Sequence, residues 1–458
     1  MNIVMIMCDE LSGSMVGKPG CTPNLDGLAA SGSLYDNAYT TCPLCAPARA
    51  SWFTGKYVNR IGTWDNSTPY DGKVAVGMAE YLKSYGIPFS QIGKTHFHHE
   101  GEYRFASSAE LGLLQKTDNG CFYRSRHIAR IGAEKRYKET GITDGSDSFD
   151  DRVLKASVSW LNAHKADTDP WVLSIGFTEP HFPFRVRKEN WERFEDITIP
   201  GNAYPPFTSL NTTLEELRHY FRCDLADKDV IRRILTGYHA ATRELDEKIG
   251  TLLSVLRTTG LDKDTAVIFT SDHGEQGGEH GLWWKCCMFE SSARIPLIIH
   301  TPGETKGRII HDPVSLTDIF PTLCDMLNVP VPSDIDGESL YSGRKDFAFS
   351  EYNGHGVSGG MYMIRWKNWK YVYYTNDEPQ LFDLERDPEE STDLYSKLKY
   401  SDTVKECMKR LYSVCDPHEV TKRSLEFQES MRRALSLSEE YTQERGGAFV
   451  PHPHRYTK

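Results

Sequence analysis

The sequence predicts an α/β fold: a mixed, mostly parallel sheet flanked by helices, followed by a smaller C-terminal α+β subdomain. Three observations predict it. Across residues 1–333, short apolar runs alternate with segments of helical period. Across residues 334–458, aromatic-rich runs give way to charged helical stretches. The composition, 39 % hydrophobic and 26 % charged over 458 residues, is that of globular chains.

Residues 3–7 are apolar without alternation and read as a buried first strand. Residues 75–85 read as a helix with Met78, Tyr81 and Leu82 on one face and Gly86 as its stop. Residues 89–92 form the next strand. Residues 150–164 form a helix with Val153, Leu154, Val158 and Leu161 inward. Residues 171–177 are again a strand. A long amphipathic helix spans 235–259, with Tyr238, Ala241, Leu245, Ile249, Leu252 and Leu256 in register and Gly260 as its cap. Strands follow at 266–270 and 297–300. Residues 362–365 and 370–374 flank Lys367-Asn368 as an antiparallel hairpin. Residues 382–394 are acidic and turn-rich, the chain is then helical to Arg445, and 446–458 is an irregular tail.

Lys plus Arg number 53 and Asp plus Glu 64, a net charge of −11. That balance argues against a general nucleic-acid binder but leaves room for a local basic pocket. The 11 cysteines are odd in number and lack a framework pattern, which fits a reducing compartment. The run 3–7 is too short, and lacks the basic flank, for a targeting signal. No apolar stretch is long enough to span a bilayer. A soluble cytoplasmic protein with no membrane partner is expected. Asn66-Ser67-Thr68 and Asn211-Thr212-Thr213 match the glycosylation pattern, with little weight in that setting.

Two acidic pairs follow buried strands: Asp9-Glu10 after 3–7, and Asp272-His273 after 266–270. Ligands gather beyond the carboxyl ends of strands in open α/β sheets, so the pairs can meet there. Together they make a mostly oxygen site for a divalent cation. Either pair alone is as readily a turn or helix cap. In Cys42-Pro43-Leu44-Cys45-Ala46-Pro47-Ala48-Arg49, Pro47 lies just inside a helix start. Cys45 then sits at a helix N-terminus, which favours anions and thiolate character. Arg49, four residues on, shares its face. A nucleophile with a fixed guanidinium suits an oxyanion-transfer substrate. The alternatives are a buried structural cysteine or a CxxC pair of Cys42 with Cys45. No second CxxC is present to complete a zinc site.

Cys45-Ala46-Pro47-Ala48-Arg49 resembles the Cys-x-Pro-x-Arg signature of type I sulfatases, members of the alkaline-phosphatase-like superfamily. Other motifs resemble the family in its own order: Thr22-Pro23-Asn24-Leu25-Asp26, Gly93-Lys94-Thr95-His96, Glu179-Pro180-His181, Ser271-Asp272-His273-Gly274 and Lys285. Leu381-Phe382-Asp383-Leu384 resembles its C-terminal subdomain. Arg60-Ile61-Gly62 with Trp64-Asp65-Asn66, and the stretch 285–296, are similar to the choline-sulfatase and phosphonate monoester hydrolase branch.

The resemblance implies hydrolysis of a sugar or small organic sulfate ester to the alcohol and inorganic sulfate. Cys45 would be oxidised to formylglycine by a formylglycine-generating or radical maturation enzyme. One hydroxyl of the aldehyde hydrate would attack sulfur; loss of the proton from the other would release sulfate. The implied metal ligands are Asp9, Glu10, Cys45, Asp272 and His273, with calcium expected first and manganese or magnesium as alternatives. Arg49 would hold the hydrate, Lys94 and Lys285 the sulfate oxygens. His181 or Lys285 would protonate the leaving group, and His96 would take the proton from the remaining hydroxyl. Glu10 stands where Asp or Gln is usual, and His273 where Asn is frequent. The alternative activity is phosphonate monoester or phosphodiester hydrolysis at the same site. Trp283 and Trp284 read as packing residues. His98, His99 and His355 read equally as substrate contacts or surface residues. The tail, with Pro451-His452-Pro453-His454, could cover a neighbour's pocket in a homo-oligomer.

Overall fold

Strand Asn2–Cys8 lies inside a seven-stranded sheet and is buried along its whole length. The computed structural model describes residues 1–97, 124, 129–130, 132–143, 148–203, 211–343 and 345–434. His98, His99 and the tail 446–458 lie outside them. The strand order is Arg308–Ile310, Ser33–Tyr35, Leu297–His300, Thr265–Ser271, Asn2–Cys8, Val172–Gly176, Phe89–Gly93. Neighbours run parallel, except that Leu297–His300 is antiparallel to both of its partners.

Successive side chains of the first strand enter different cores. Val4, Ile6 and Cys8 pack on one face, and Ile3, Met5 and Met7 on the other. A strand covered on both faces has no wet side, hence the unbroken apolar run. Helices Pro23–Ser31, Phe149–Ala163 and Lys228–Thr259 cover the first face. Helices Cys45–Thr54, Met78–Ser84 and Ile319–Leu327 cover the second.

The long helix begins at Lys228, not Leu235. Asp227 caps it, accepting from the Asp229 and Val230 amides, and Ile231 and Ile234 extend the buried stripe. Its end at Gly260, in the left-handed conformation, is as expected. The expected helix 75–85 is shorter, Met78–Ser84. Gly77 is its N-cap, with extended backbone at φ −84° and ψ 163°, so residues 75–77 lie outside the helix.

In the C-terminal part, the hairpin forms from Met361–Trp366 and Trp369–Tyr374, with Lys367 at φ 52° in the turn. Strands Phe347–Tyr352 and Gln380–Asp383 extend it to four antiparallel strands. The second takes Phe382 and Asp383 out of the segment expected to be turns. Helices Ser401–Val414 and Pro417–Ala434 follow. One hydrophobic cluster contains both Ile6 of the central sheet and Ile364 and Val372 of this smaller sheet. A polar contact reinforces the junction. Lys370, fully buried, reaches the Met288 carbonyl at 2.8 Å, Glu290 at 2.6 Å and Glu390 at 2.8 Å. No helix among the described residues is long and apolar enough to cross a membrane.

Removing one partner of such a buried cluster leaves uncompensated charge. Lys370→Met is expected to cost about 3–5 kcal/mol of stability, read as a lower urea midpoint at unchanged m value.

Candidate active site

Four adjacent parallel strands deliver the polar residues to one sheet edge. Thr265–Ser271 ends at Asp272-His273, Asn2–Cys8 at Asp9-Glu10, Val172–Gly176 runs on toward His181, and Phe89–Gly93 ends at Lys94. Cys8 and Ser271 are register partners, so the two acidic pairs leave the sheet side by side. At the far strand, Gly93 lies at φ 92°, and a Cβ there would meet the Gly176 carbonyl at 2.2 Å. That close approach needs glycine.

Helix Cys45–Thr54 supplies Cys45 in its first turn and Arg49 one turn on. Asn66, absent from the expected site, accepts from the Ala46 amide at 3.0 Å and satisfies a donor at that helix start. Arg49 is 1 % exposed. Its Nε donates to Asp272 at 2.8 Å, Nη1 to the Lys94 carbonyl at 3.0 Å and Nη2 to the Cys8 carbonyl at 3.2 Å. Lys94 is ion-paired with Asp9. Lys285 comes from the loop after Thr265–Ser271, held between two left-handed residues, Trp284 at φ 70° and Cys286 at φ 77°. Glu275 fixes this loop, its Oε1 accepting from the Gly277 and Trp284 amides at 2.8 and 2.9 Å.

These residues converge on Cys45. Its Sγ lies 3.1 Å from His273 Nε2, 3.3 Å from Lys285 Nζ and 3.6 Å from Asp9 Oδ1. Asp9, Cys45, Asp272 and His273 each offer a ligand atom, all within 4.8 Å of one another. Glu10 falls in a second grouping, with Asp9 and His181. Its Oε2 is 3.4 Å from both Lys285 Nζ and His181 Nε2. His96, at φ 57°, is buried and feels the charges of Lys94 and Arg49.

Burial sets the protonation states. It pushes the Cys45 thiol up to about 12, with Lys285 opposing. The thiolate expected from the helix N-terminus is therefore not favoured; the helix end does not offset the loss of water. Burial lowers His273 to about 3. Its Nδ1 faces the Gly274 carbonyl at 3.0 Å, which leaves the Nε2 lone pair toward Cys45. Burial would raise Asp272, but Arg49, His273 and the lysines hold it below the usual carboxylate range. Burial lowers Lys94 to about 7. Lys285 is held above its usual value despite burial, by Cys45 and Glu10. His181 is lowered well below normal by burial and then by Lys285 and Lys94. Two carboxyl groups, a neutral imidazole and the Cys45 side chain are a donor set that fits a divalent cation.

Several expectations resolve differently. His355 is 3 % exposed, not a surface residue; it packs on Tyr220 and approaches Cys286. Trp283 and Trp284, by contrast, are the buried packing residues expected. Cys42 is buried beside the site, and the ten described cysteines are all free thiols.

The sulfatase family profile matches residues 1–329, and a profile for the N-sulphoglucosamine sulphohydrolase C-terminal region matches 278–416. Choline-sulfatase of Rhizobium meliloti (strain 1021) is 32 % identical over 429 residues, covering 86 % of this chain and 82 % of the relative. The crystal structure of phosphonate monoester hydrolase of Agrobacterium radiobacter aligns with TM-score 0.72 at 23 % identity, over 90 % of this chain and 95 % of that one. A structure in complex with its substrate D-glucosamine-2-N,6-O-disulfate aligns with TM-score 0.70 at 22 % identity, over 93 % and 98 %.

A ligand that binds only the folded state stabilises it by mass action. A divalent cation at 100 times its Kd is expected to add about 2.7 kcal/mol, and a chelator to remove it. Thermal unfolding of the wild type and of Asp272→Asn, expected to show no cation effect, checks this.

Proposed function

The chain belongs to the sulfatase family, and we propose that it cleaves sugar or small organic sulfate esters through formylglycine made from Cys45. Sulfate-ester hydrolysis and the alkaline-phosphatase-like fold follow from the family and its structural neighbours. One observation carries the finer reading: Cys45 Sγ stands 3.1 Å from His273, 3.3 Å from Lys285 and 3.6 Å from Asp9. The relatives named for choline sulfate and for a disulfated glucosamine support a small or sugar substrate.

A buried thiol with its pKa near 12 is a poor nucleophile at neutral pH. Modification is what would make this position reactive: the aldehyde hydrate supplies two hydroxyls on one carbon, one for attack and one for release. A maturation enzyme is therefore the implied partner. Asp9, Asp272, His273 and residue 45 would hold the metal, calcium in our reading, with manganese or magnesium the alternatives. When bound, that cation supplies fixed positive charge against the sulfate oxygens.

The chain's own groups take the remaining tasks. Arg49, immobilised by three hydrogen bonds, fixes residue 45 and offsets negative charge beside it. Lys94 is available to leave Asp9 and bind a sulfate oxygen. Lys285 keeps its proton and is placed to give it to the departing oxygen. His181 donates its Nδ1 proton to the Phe182 carbonyl at 2.5 Å, so its Nε2 serves better as an acceptor than as the acid. His96, neutral through burial, can take the proton from the second hydroxyl.

Mass spectrometry of the Cys45 peptide from active enzyme is expected to find an aldehyde. Cys45→Ser should lower kcat at least about 10³-fold. Full activity with an intact thiol would overturn the proposal. Rates on matched aryl sulfate, phosphodiester and phosphonate esters separate the two activities, and the sulfate is expected to be fastest.

A further inference from the structure

Arg136, in helix Ala133–Lys138, is half-buried, and its guanidinium makes no hydrogen bond or ion pair with any described residue. Arg49, by contrast, uses all three of its nitrogens. The Arg136 Cζ rests 4.2 Å from the Phe182 ring centroid, 5.6 Å from that of Phe221 and 5.7 Å from that of Trp284. Phe182 follows His181, whose ring stacks on it at 4.3 Å, and Lys285 Nζ lies 5.4 Å from the same ring centroid. Arg136 is thus one aromatic ring away from His181 and Lys285.

The local charge is unbalanced. Burial and the like charge of Arg130 push Arg136 down to about 9, while Glu10 pulls the other way. Glu10 is already within 3.4 Å of Lys285 and His181. No described carboxylate pairs with Arg136 directly. A guanidinium on aromatic faces, with its N–H donors unspent, suits a planar or multidentate oxyanion.

We propose that Arg136 binds a second anionic group, a carboxylate or another sulfate, carried by the alcohol part of the substrate. The preferred ester is then an acidic carbohydrate sulfate, and a cationic ester such as choline sulfate is disfavoured by repulsion. This assignment rests on the sulfate-ester hydrolase reading above.

The test is calorimetric titration of full-length Cys45→Ser protein in calcium buffer. The probes are a sulfated uronic acid, a disulfated amino sugar, a neutral hexose sulfate and choline sulfate. At least one acidic probe is expected to bind about tenfold or more tighter than the neutral one, and to identify which anion Arg136 reads. Arg136→Gln in the same background should remove most of that ratio, and Arg136→Lys should keep part of it. Equal affinities, tightest binding of choline sulfate, or a ratio that survives Arg136→Gln would overturn the assignment. If Arg136→Gln does not fold, the wild-type ranking and Arg136→Lys decide. Turnover of the same probes by matured enzyme reads the hydrolase function separately. Absent turnover with Arg136-dependent binding would count against that function and not against this assignment.

Discussion

The contact between Arg49 and Asp272 organises the site. Both side chains are buried, and a buried charge is tolerated only when paired and hydrogen-bonded. Arg49 meets that condition by binding Asp272, the Cys8 carbonyl and the Lys94 carbonyl. Those partners lie at the ends of three separate strands. One guanidinium therefore fixes the helix bearing Cys45 against the sheet edge bearing the acidic pairs. Three buried carboxyl groups, Asp9, Glu10 and Asp272, face three buried basic groups, Arg49, Lys94 and Lys285.

That dryness is also the chemistry. Desolvation keeps the Cys45 thiol protonated, keeps His273 neutral and leaves its Nε2 free for a cation. The side chain at position 45 stands among the positive charges of Lys285 and Arg49. The net charge of −11 belongs to the surface and says nothing about this pocket. Arg136 and Lys285 both lie against the Phe182 ring.

The C-terminal part supports the site from behind. Lys370 and Arg365 anchor its sheet through Glu290 and Tyr39. Glu290 begins the short helix Glu290–Ala293, which follows the Lys285 loop, and Tyr39 donates to Glu290 at 2.9 Å. The small sheet thus braces the segment that presents Lys285.

The sequence by itself determined the parts that are local. An unbroken apolar run specifies a strand buried on both faces, as at 3–7, and Gly260 specifies a helix end, because each signal acts within a few residues. The motif residues Asp9, Cys45, Arg49, Lys94, His96, His181, Asp272, His273 and Lys285 were legible for the same reason. The extra turns at Lys228, the strand Phe347–Tyr352 and the cap from Asn66 were not, since each is fixed by partners distant in the chain. Only the tertiary structure decided how the charges are shared. It set Glu10 beside His181 and Lys285, raised the Cys45 thiol and left the Arg136 guanidinium on aromatic rings with no ion-pair partner among the described residues. Burial and the distances between charges arise only when the four strand ends meet.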